Sequence, residues 1–141
     1  MYRFEEQYNK APFDNLLEIY RESFADHYPL PALTDYISGK TVTYGDLARR
    51  IARLHLFFEM AGVKPGDKVA LLGRNTPNWV ISFMGVVTYG AVIVPILHDF
   101  NAADSMHIIN HSDACILFVS DSIFSALDFD AIPEIRAVVS L

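Results

Sequence analysis

The sequence predicts an α/β fold, in which a mostly parallel sheet lies between two layers of helices. Short apolar segments near positions 69, 92, 116 and 138 recur at similar intervals, and helical patterns separate them. Parallel strands need such helical crossovers, which are right-handed. The segments are apolar on consecutive residues, as expected for strands covered on both faces. Together these observations predict a three-layer parallel sheet.

The centre of the sequence is predicted to form a β-α-β unit. Val69–Leu72 is typical of a buried strand, and Thr76 and Pro77 are suited to cap and begin a helix. That helix is apolar on nearly every face, which predicts that it is buried. Gly90 is expected to end it. Ala91–Val94 is then predicted to be a second strand without a solvated face.

The N-terminal third is predicted to hold a lead segment, two helices and a hairpin. Residues 1–12 show no period, whereas residues 13–141 are predicted to form one α/β subdomain. Asp14 is expected to cap a first helix over residues 15–27. A small β-hairpin with a glycine turn is predicted for Ala32–Tyr36 and Thr41–Thr43.

A second helix is predicted to begin at Thr43 and Asp46, which have the spacing of a capping box, and to run to about Ala61. After the central unit, Asn101 is expected to cap a helix that ends near His111. The last predicted elements are a strand at Ala114–Val119, a short helix at Asp121–Leu127 and a strand at Ala137–Val139. Because open sheet edges are usually covered, we expect that more chain naturally follows.

Composition and charge restrict the classes of function. The 141 residues are 52% hydrophobic and 20% charged, which is typical of a globular protein. A net charge of −6 with scattered basic residues argues against nucleic acid as a partner. The densest basic cluster, Arg49, Arg50 and Arg53, falls on one predicted helix. The single cysteine, Cys115, cannot form an internal disulfide, which favours a reducing compartment and the cytoplasm.

One segment raises the question of a membrane span. Trp79–Leu97 carries no charge over nineteen positions, close to the length that crosses a bilayer. Gly90 ends the predicted helix too early for that, so a buried helix followed by a strand is favoured over a spanning helix. The acidic N-terminus has no apolar core of a secretory signal.

Four groups of residues are candidates for chemistry. No G-x-G-x-x-G or P-loop motif occurs, and the nearest anion site is the turn Gly73–Thr76, where Arg74 could assist; a tight turn with a helix cap is the favoured alternative. His107 and His111 are spaced to share a helix face near Asp104 or Asp113, but surface histidines are favoured over a metal site.

Two further candidates depend on position. His98, Asp99 and Phe100 follow a predicted strand, and ligands of open α/β sheets bind beyond the carboxyl ends of strands; a solvated loop is the favoured alternative. Cys115 lies within an apolar run, so a buried core residue is favoured over a nucleophile. The residues by themselves do not reveal a reaction.

Two motifs resemble those of adenylate-forming enzymes. Val42–Leu47 (V-T-Y-G-D-L) resembles their L-T-Y-x-E-L motif, with Asp46 in the place of glutamate. Thr88–Pro95 (T-Y-G-A-V-I-V-P) resembles their L-K-A-G-x-A-Y-V-P motif, with Thr88 and Tyr89 in place of Lys-Ala. Val63–Ala70 resembles the segment that usually lies between these motifs, and Arg74–Trp79 and Ala102–Val119 are similar to segments of long-chain fatty-acid–CoA ligases. The likeness extends over residues 14–141 in family order.

The resemblance implies a two-step acid–thiol ligase. A fatty acid reacts with ATP to give an acyl adenylate and pyrophosphate, with Mg²⁺ balancing the phosphate charge, and coenzyme A then displaces AMP. The family's phosphate loop, acidic ATP motif, ribose-binding aspartate and C-terminal lysine lie downstream of the matched region. We therefore assign no catalytic, cofactor-binding or metal-binding residue, and expect this chain alone to be inactive and to hold no ATP, CoA or Mg²⁺.

The same resemblance gives the expected partners and the alternatives. The expected partners are the remainder of its own chain and a carboxylate substrate, without nucleic acid. The location is expected to be cytoplasmic, with peripheral membrane contact as a variant. The segment after Ile96 is not the family's commonest continuation, which leaves the substrate class open. The alternatives are a standalone α/β binding or regulatory module, an aryl or acetate ligase, a peptide-synthetase adenylation domain, and a membrane-associated protein.

Overall fold

The computed structural model describes residues 15–141, so the lead segment 1–12 and Asp14 lie outside the described residues. Four strands form a parallel sheet in the order β4-β3-β5-β6, which confirms the predicted fold class. The strands are β3 (Lys68–Leu72), β4 (Val92–Ile96), β5 (Ala114–Val119) and β6 (Ala137–Ser140). The separate antiparallel hairpin joins β1 (Pro31–Thr34) and β2 (Thr41–Thr43).

Helices lie on both faces of the parallel sheet. They are α1 (Leu16–Asp26), α2 (Tyr44–Met60), α3 (Pro77–Tyr89), α4 (Ala102–His111), α5 (Asp121–Phe124) and a 3₁₀ turn (Phe129–Ala131). Because side chains alternate along β3, Val69 and Leu71 pack with Phe58 on one face. Ala70 and Leu72 pack with Ile109 of α4 on the other face. A third apolar cluster joins the hairpin to α2 and α3.

The predicted caps of α2 and α3 are present. Thr43 and Asp46 form the capping box that begins α2. The Thr76 hydroxyl accepts a hydrogen bond from the Trp79 N–H at 3.2 Å, and Pro77 follows as the first residue of α3. Gly90 ends α3 in the left-handed conformation, at φ +89°. These local signals explain why strands and helices begin where the sequence predicts.

Two predicted boundaries near the N-terminus are wrong. The first helix begins at Leu16 and not at Asn15 as predicted, because the side-chain oxygen of Asn15 caps the helix by accepting from the N–H groups of Leu17 and Glu18. The first hairpin strand ends at Thr34 because the Asp35 carboxylate accepts from the Ser38 N–H at 2.6 Å and so closes the turn.

Strand β4 departs from the prediction that it lacks a solvated face. It lies at one edge of the described sheet, and Val92 is 46% exposed while Pro95 is also exposed. A proline has no N–H to donate, so it is tolerated where a strand has only one neighbour. The continuous apolar run did not distinguish this edge strand from the fully buried β5.

One helix differs from the prediction, and another agrees with it. The helix predicted over Asp121–Leu127 ends at Phe124, and Leu127 instead turns into the core beside Ile132. Helix α3 ends at Tyr89 and is followed by β4, as predicted for a buried helix and strand. Within residues 15–141, no helix has both the length and the apolarity that crossing a membrane requires.

Candidate functional site

The four parallel strands end at one edge of the sheet, which is where open α/β sheets bind ligands. The loops beyond this edge follow the strand order, so residues 97–100 lie beside the turn 73–76, followed by residues 120–121 and the end of β6. Backbone hydrogen bonds tie the middle of this edge together. The Ser120 N–H donates to the Leu72 carbonyl at 3.1 Å, and the Leu141 N–H donates to the Val119 carbonyl at 3.0 Å.

The turn Gly73–Thr76 connects β3 to α3. Gly73 is buried, and a Cβ atom there would lie 2.6 Å from Cδ1 of Leu141 and 3.4 Å from Oγ of Ser120. The glycine therefore permits close packing of the turn against the ends of β5 and β6. Arg74 is exposed beside it. These contacts fit the favoured tight turn with a cap, and anion binding at this turn stays a prediction.

Three polar side chains at this edge were not singled out by the sequence. The Ser140 hydroxyl donates to Oδ1 of Asp121 at 2.6 Å, which links the end of β6 to the start of α5. The Ser120 hydroxyl is buried and has no hydrogen-bond partner within residues 15–141. The available signal was position alone, because Ser120 and Asp121 are the first two residues after β5 and Ser140 ends β6.

The predicted candidates beyond β4 lie at the expected edge. His98 and Asp99 form a contact of 3.0 Å between Nε2 and Oδ1, and their side chains are 34% and 83% exposed. Phe100 is 42% exposed. An ion pair in this position is screened by water and contributes little stability. The structure brings these residues beside the turn 73–76 but gives them no buried partner within the described part of the chain.

The two histidines of α4 share one helix face, as their spacing predicts. The rings of His107 and His111 stack with centroids 5.9 Å apart. Asp104, a candidate third ligand, instead accepts a hydrogen bond from the Asn101 side chain at 2.7 Å and belongs to the helix cap. Within residues 15–141, no group of three or more metal-binding side chains comes together.

Cys115 lies in the core on β5 and is 5% exposed. Burial raises the pKa of its thiol, and the positive charge of Arg136 counters that effect only in part. A raised pKa disfavours the thiolate that nucleophilic chemistry needs. The favoured interpretation, a buried core residue, agrees with this geometry.

Comparisons with known proteins place this arrangement in context. Residues 21–140 match the family model described as "AMP-binding enzyme". The chain is 32% identical over 118 residues to the crotonobetaine/carnitine–CoA ligase of Proteus mirabilis, which covers 82% of this chain and 22% of that protein. It is 38% identical over 79 residues to a feruloyl-CoA synthase of an Amycolatopsis species, which covers 56% of this chain and 16% of the relative.

Solved structures share the fold. An anthranilate CoA ligase in complex with anthranoyl-AMP superposes with a TM-score of 0.84 at 20% identity, covering 94% of this chain and 26% of that one. A fatty acyl CoA synthetase of Mycobacterium tuberculosis gives 0.77 at 21% identity, covering 88% and 26%. The chain thus spans about a quarter of these structures and corresponds to their N-terminal part.

Proposed function

Since the chain belongs to the family of AMP-binding enzymes, we propose that residues 13–141 are the N-terminal α/β subdomain of an ATP-dependent carboxylate–CoA ligase. The observation that carries this proposal is the family match over residues 21–140 together with the shared sheet topology. In the intact enzyme, a carboxylate and ATP would give an acyl adenylate and pyrophosphate, and coenzyme A would then release AMP and form the thioester.

The described residues do not fit ATP, coenzyme A or Mg²⁺ by themselves. Stabilising a transferring adenylyl group needs cations and N–H donors directed at the phosphate. At the turn 73–76, the Thr76 hydroxyl already accepts the Trp79 N–H, and Gly73 is packed against Leu141. We derive no chemical step through these residues. The proposed role of this part is to hold the sheet on which the reactive groups of the intact enzyme are arranged.

Two observations bear on which class of carboxylate the intact enzyme would use. The motif likeness at Arg74–Trp79 and Ala102–Val119 favours a long-chain fatty acid. The curated relatives include a fatty acid–[acyl-carrier-protein] ligase, a carnitine–CoA ligase and a feruloyl-CoA synthase, which favour a wider range of acids and thiol acceptors. Fatty acids are the first candidate, and aromatic or betaine acids are the second.

Activity assays test the proposal directly. We expect the 141-residue chain, with ATP, Mg²⁺ and a panel of palmitate, octanoate, ferulate, benzoate and carnitine, to release no pyrophosphate above a heat-denatured control. The full reading frame is expected to release pyrophosphate with one acid of the panel and to form its thioester when coenzyme A is added. Turnover by the 141-residue chain alone would contradict the assignment of the chemistry to other parts of the protein.

A second candidate is a standalone binding or regulatory module. It is favoured by the way the described chain encloses its own apolar cores on both faces of the sheet. The coding sequence after Leu141 separates the two candidates. A downstream Gly/Ser/Thr-rich loop with a lysine supports the ligase, whereas a stop codon there would overturn it in favour of the module.

We also propose a cytoplasmic location, which rests on the family resemblance and the single cysteine. Peripheral attachment to a membrane would be the alternative. Fractionation of the native protein tests this, because a cytoplasmic enzyme stays in the supernatant after membranes are sedimented. Recovery in the membrane pellet that high salt releases would instead indicate peripheral attachment.

A further inference from the structure

The structure divides the basic cluster of α2 into two groups. Arg49 donates to the Asp46 carboxylate at 2.6 Å and to the Tyr28 hydroxyl at 2.9 Å, so its charge is paired. Arg50 donates only to the Asn78 side-chain oxygen, at 3.3 Å, and Arg53 has no hydrogen bond or ion pair within the described residues. No carboxylate of residues 15–141 lies within ion-pair distance of these two guanidinium groups.

Arg50 and Arg53 line the same cleft, because residues three apart share one face of a helix. The cleft lies between α2, α3 and the sheet and has a volume of about 300 Å³. Asn78 of α3 and Ser140 of β6 also line it. This volume is at the lower end of the range of small-molecule sites.

The interior of the cleft is mainly apolar. Its apolar lining comes from four elements, through Leu54, Ile81, Phe118 and Val139, and the buried Ser82 also lines it. Phe118 is 1% exposed and Ile81 is 4% exposed, so both side chains are held by the core. A mainly apolar lining that also carries two arginines suits a ligand with an apolar body and one anionic end.

We propose that this cleft binds a small amphipathic carboxylate, with its apolar body against Phe118 and Ile81 and its carboxylate at Arg50 and Arg53. Guanidinium groups match the planar geometry of carboxylates and form the stronger, charge-assisted class of hydrogen bond. The two arginines make this cleft locally positive, although the net charge of the chain is −6. Ser140, which also lines the cleft, donates its hydroxyl to the Asp121 carboxylate at 2.6 Å.

The geometry favours an organic acid over a simple anion or a nucleotide. An inorganic anion would leave the apolar interior unfilled, and a nucleotide is too large for about 300 Å³. Octanoate, with about ten non-hydrogen atoms, is a fitting probe, and octanol is its uncharged counterpart. This cleft is separate from the turn 73–76, and the inference does not depend on the proposed ligase activity.

Titration of the 141-residue chain by two-dimensional NMR tests the proposal. We expect octanoate to shift the amide signals of Asn78, Ser82 and Ser140 in a saturable manner, whereas octanol shifts them at least tenfold more weakly. The double variant R50Q/R53Q is expected to weaken octanoate binding at least tenfold while its spectrum stays folded. The matched control R49Q removes one charge from the same helix and is expected to leave octanoate binding within about twofold.

Four results would overturn the proposal. They are equal shifts with octanol, which would indicate apolar contact alone; equal shifts with inorganic phosphate, which would indicate a simple anion site; an unchanged affinity of R50Q/R53Q; and an equal loss in R49Q. If the double variant unfolds, the single variants R50Q and R53Q decide, each being expected to weaken binding at least threefold.

Discussion

Individual side chains hold the ends of the helices that build this molecule. The capping box at the start of α2 satisfies two backbone N–H groups, because the Thr43 hydroxyl accepts from the Asp46 N–H at 3.1 Å and the Asp46 carboxylate accepts from the Thr43 N–H at 3.2 Å. The hydroxyl of Thr43 also donates to that carboxylate at 2.8 Å. The hairpin and α2 therefore meet at a fixed angle.

Removing the Thr43 hydroxyl tests this cap. We expect Thr43→Ala to lower the free energy of unfolding by about 1 kcal/mol, because one helix N–H loses its partner. Thr43→Ser keeps the hydroxyl and is expected to stay close to the parent protein. Urea denaturation followed by circular dichroism measures both variants. An equal loss in the serine variant would show that the methyl group, and not the cap, is responsible.

The carboxylate of the same cap predicts a pH dependence. Hydrogen bonds from Thr43, first from its hydroxyl and then from its N–H, and the nearby Arg49 lower the pKa of Asp46. A lowered folded-state pKa adds stability above the unfolded value of about 3.9, and that stability is lost as the pH falls through the folded value.

We therefore expect the stability advantage of the parent protein over Asp46→Asn to be constant above about pH 5 and to shrink below about pH 4. Urea midpoints of both proteins, measured from pH 6 to pH 2.5, provide the comparison. An advantage that grows on acidification would contradict the direction of the shift in the pKa of Asp46.

Whole helices and strands depend on a few backbone positions and on shared core residues. Gly90 ends α3 at φ +89°, and its N–H bonds back to the last turn of the helix. A Cβ atom there would lie 3.7 Å from Cβ of Pro65, which is an ordinary contact. Glycine is therefore needed for its left-handed backbone conformation and not to avoid a steric clash.

We expect Gly90→Ala to lower the free energy of unfolding by about 1–2 kcal/mol, because a side chain is strained in this conformation. Gly90→Asn is expected to lose less, since asparagine tolerates the left-handed region better than alanine. Thermal and urea unfolding measure the difference. An alanine variant as stable as the asparagine variant would show that the turn relaxes to another conformation.

Phe58 joins α2 to the sheet and to α3. It is fully buried, and its ring lies 5.3 Å from that of Tyr89 and 6.1 Å from that of Phe118, measured between centroids. We expect Phe58→Ala to cost about 3–5 kcal/mol by opening a cavity. Leu56→Ala on the same helix changes a side chain that is 59% exposed and is expected to stay within about 0.5 kcal/mol of the parent. Equal losses would contradict the packing of α2.

At the level of the complete chain, both outer strands of the parallel sheet have a single bonded neighbour within the described residues. On β6, Val138 is 37% exposed, whereas Val139 packs into the cluster under α2 and α3. Adjacent strand residues point to opposite faces, so the two valines provide a matched pair.

We expect Val138→Lys to keep the fold and to reduce concentration-dependent association, because a charge on an edge strand opposes pairing between sheets. Val139→Lys is expected to destabilise the protein more, since Val139 is partly buried and packs against the core. Light scattering and circular dichroism measure the two effects. A Val139→Lys protein as stable as Val138→Lys would contradict the placement of β6.

Local sequence patterns were sufficient to predict most helices and strands, because the interactions that fix their ends are local. The capping box, the Thr76–Pro77 helix start and the Gly90 stop depend on neighbours within four residues, so the sequence contains all the information that they need. Where a nearby side chain binds backbone N–H groups, the predicted boundary was wrong: Asn15 caps α1 instead of beginning it, and the Asp35 carboxylate closes the turn that ends β1 early. The candidates His98 and Gly73 were placed at the correct sheet edge, because parallel strands end together.

The sequence by itself determined the α/β class, the parallel strands and the family resemblance, since periodicity, caps and motifs are properties of short segments. Only the tertiary structure decided that β4 is an edge strand, that Ser140 meets Asp121, and that Arg49 is paired while Arg50 and Arg53 line a cleft. It also shows that Nε2 of His55 on α2 lies at hydrogen-bond distance, 3.0 Å, from the hydroxyl oxygen of Thr88 on α3. These features depend on contacts between residues far apart in the chain, which packing establishes and local patterns do not encode.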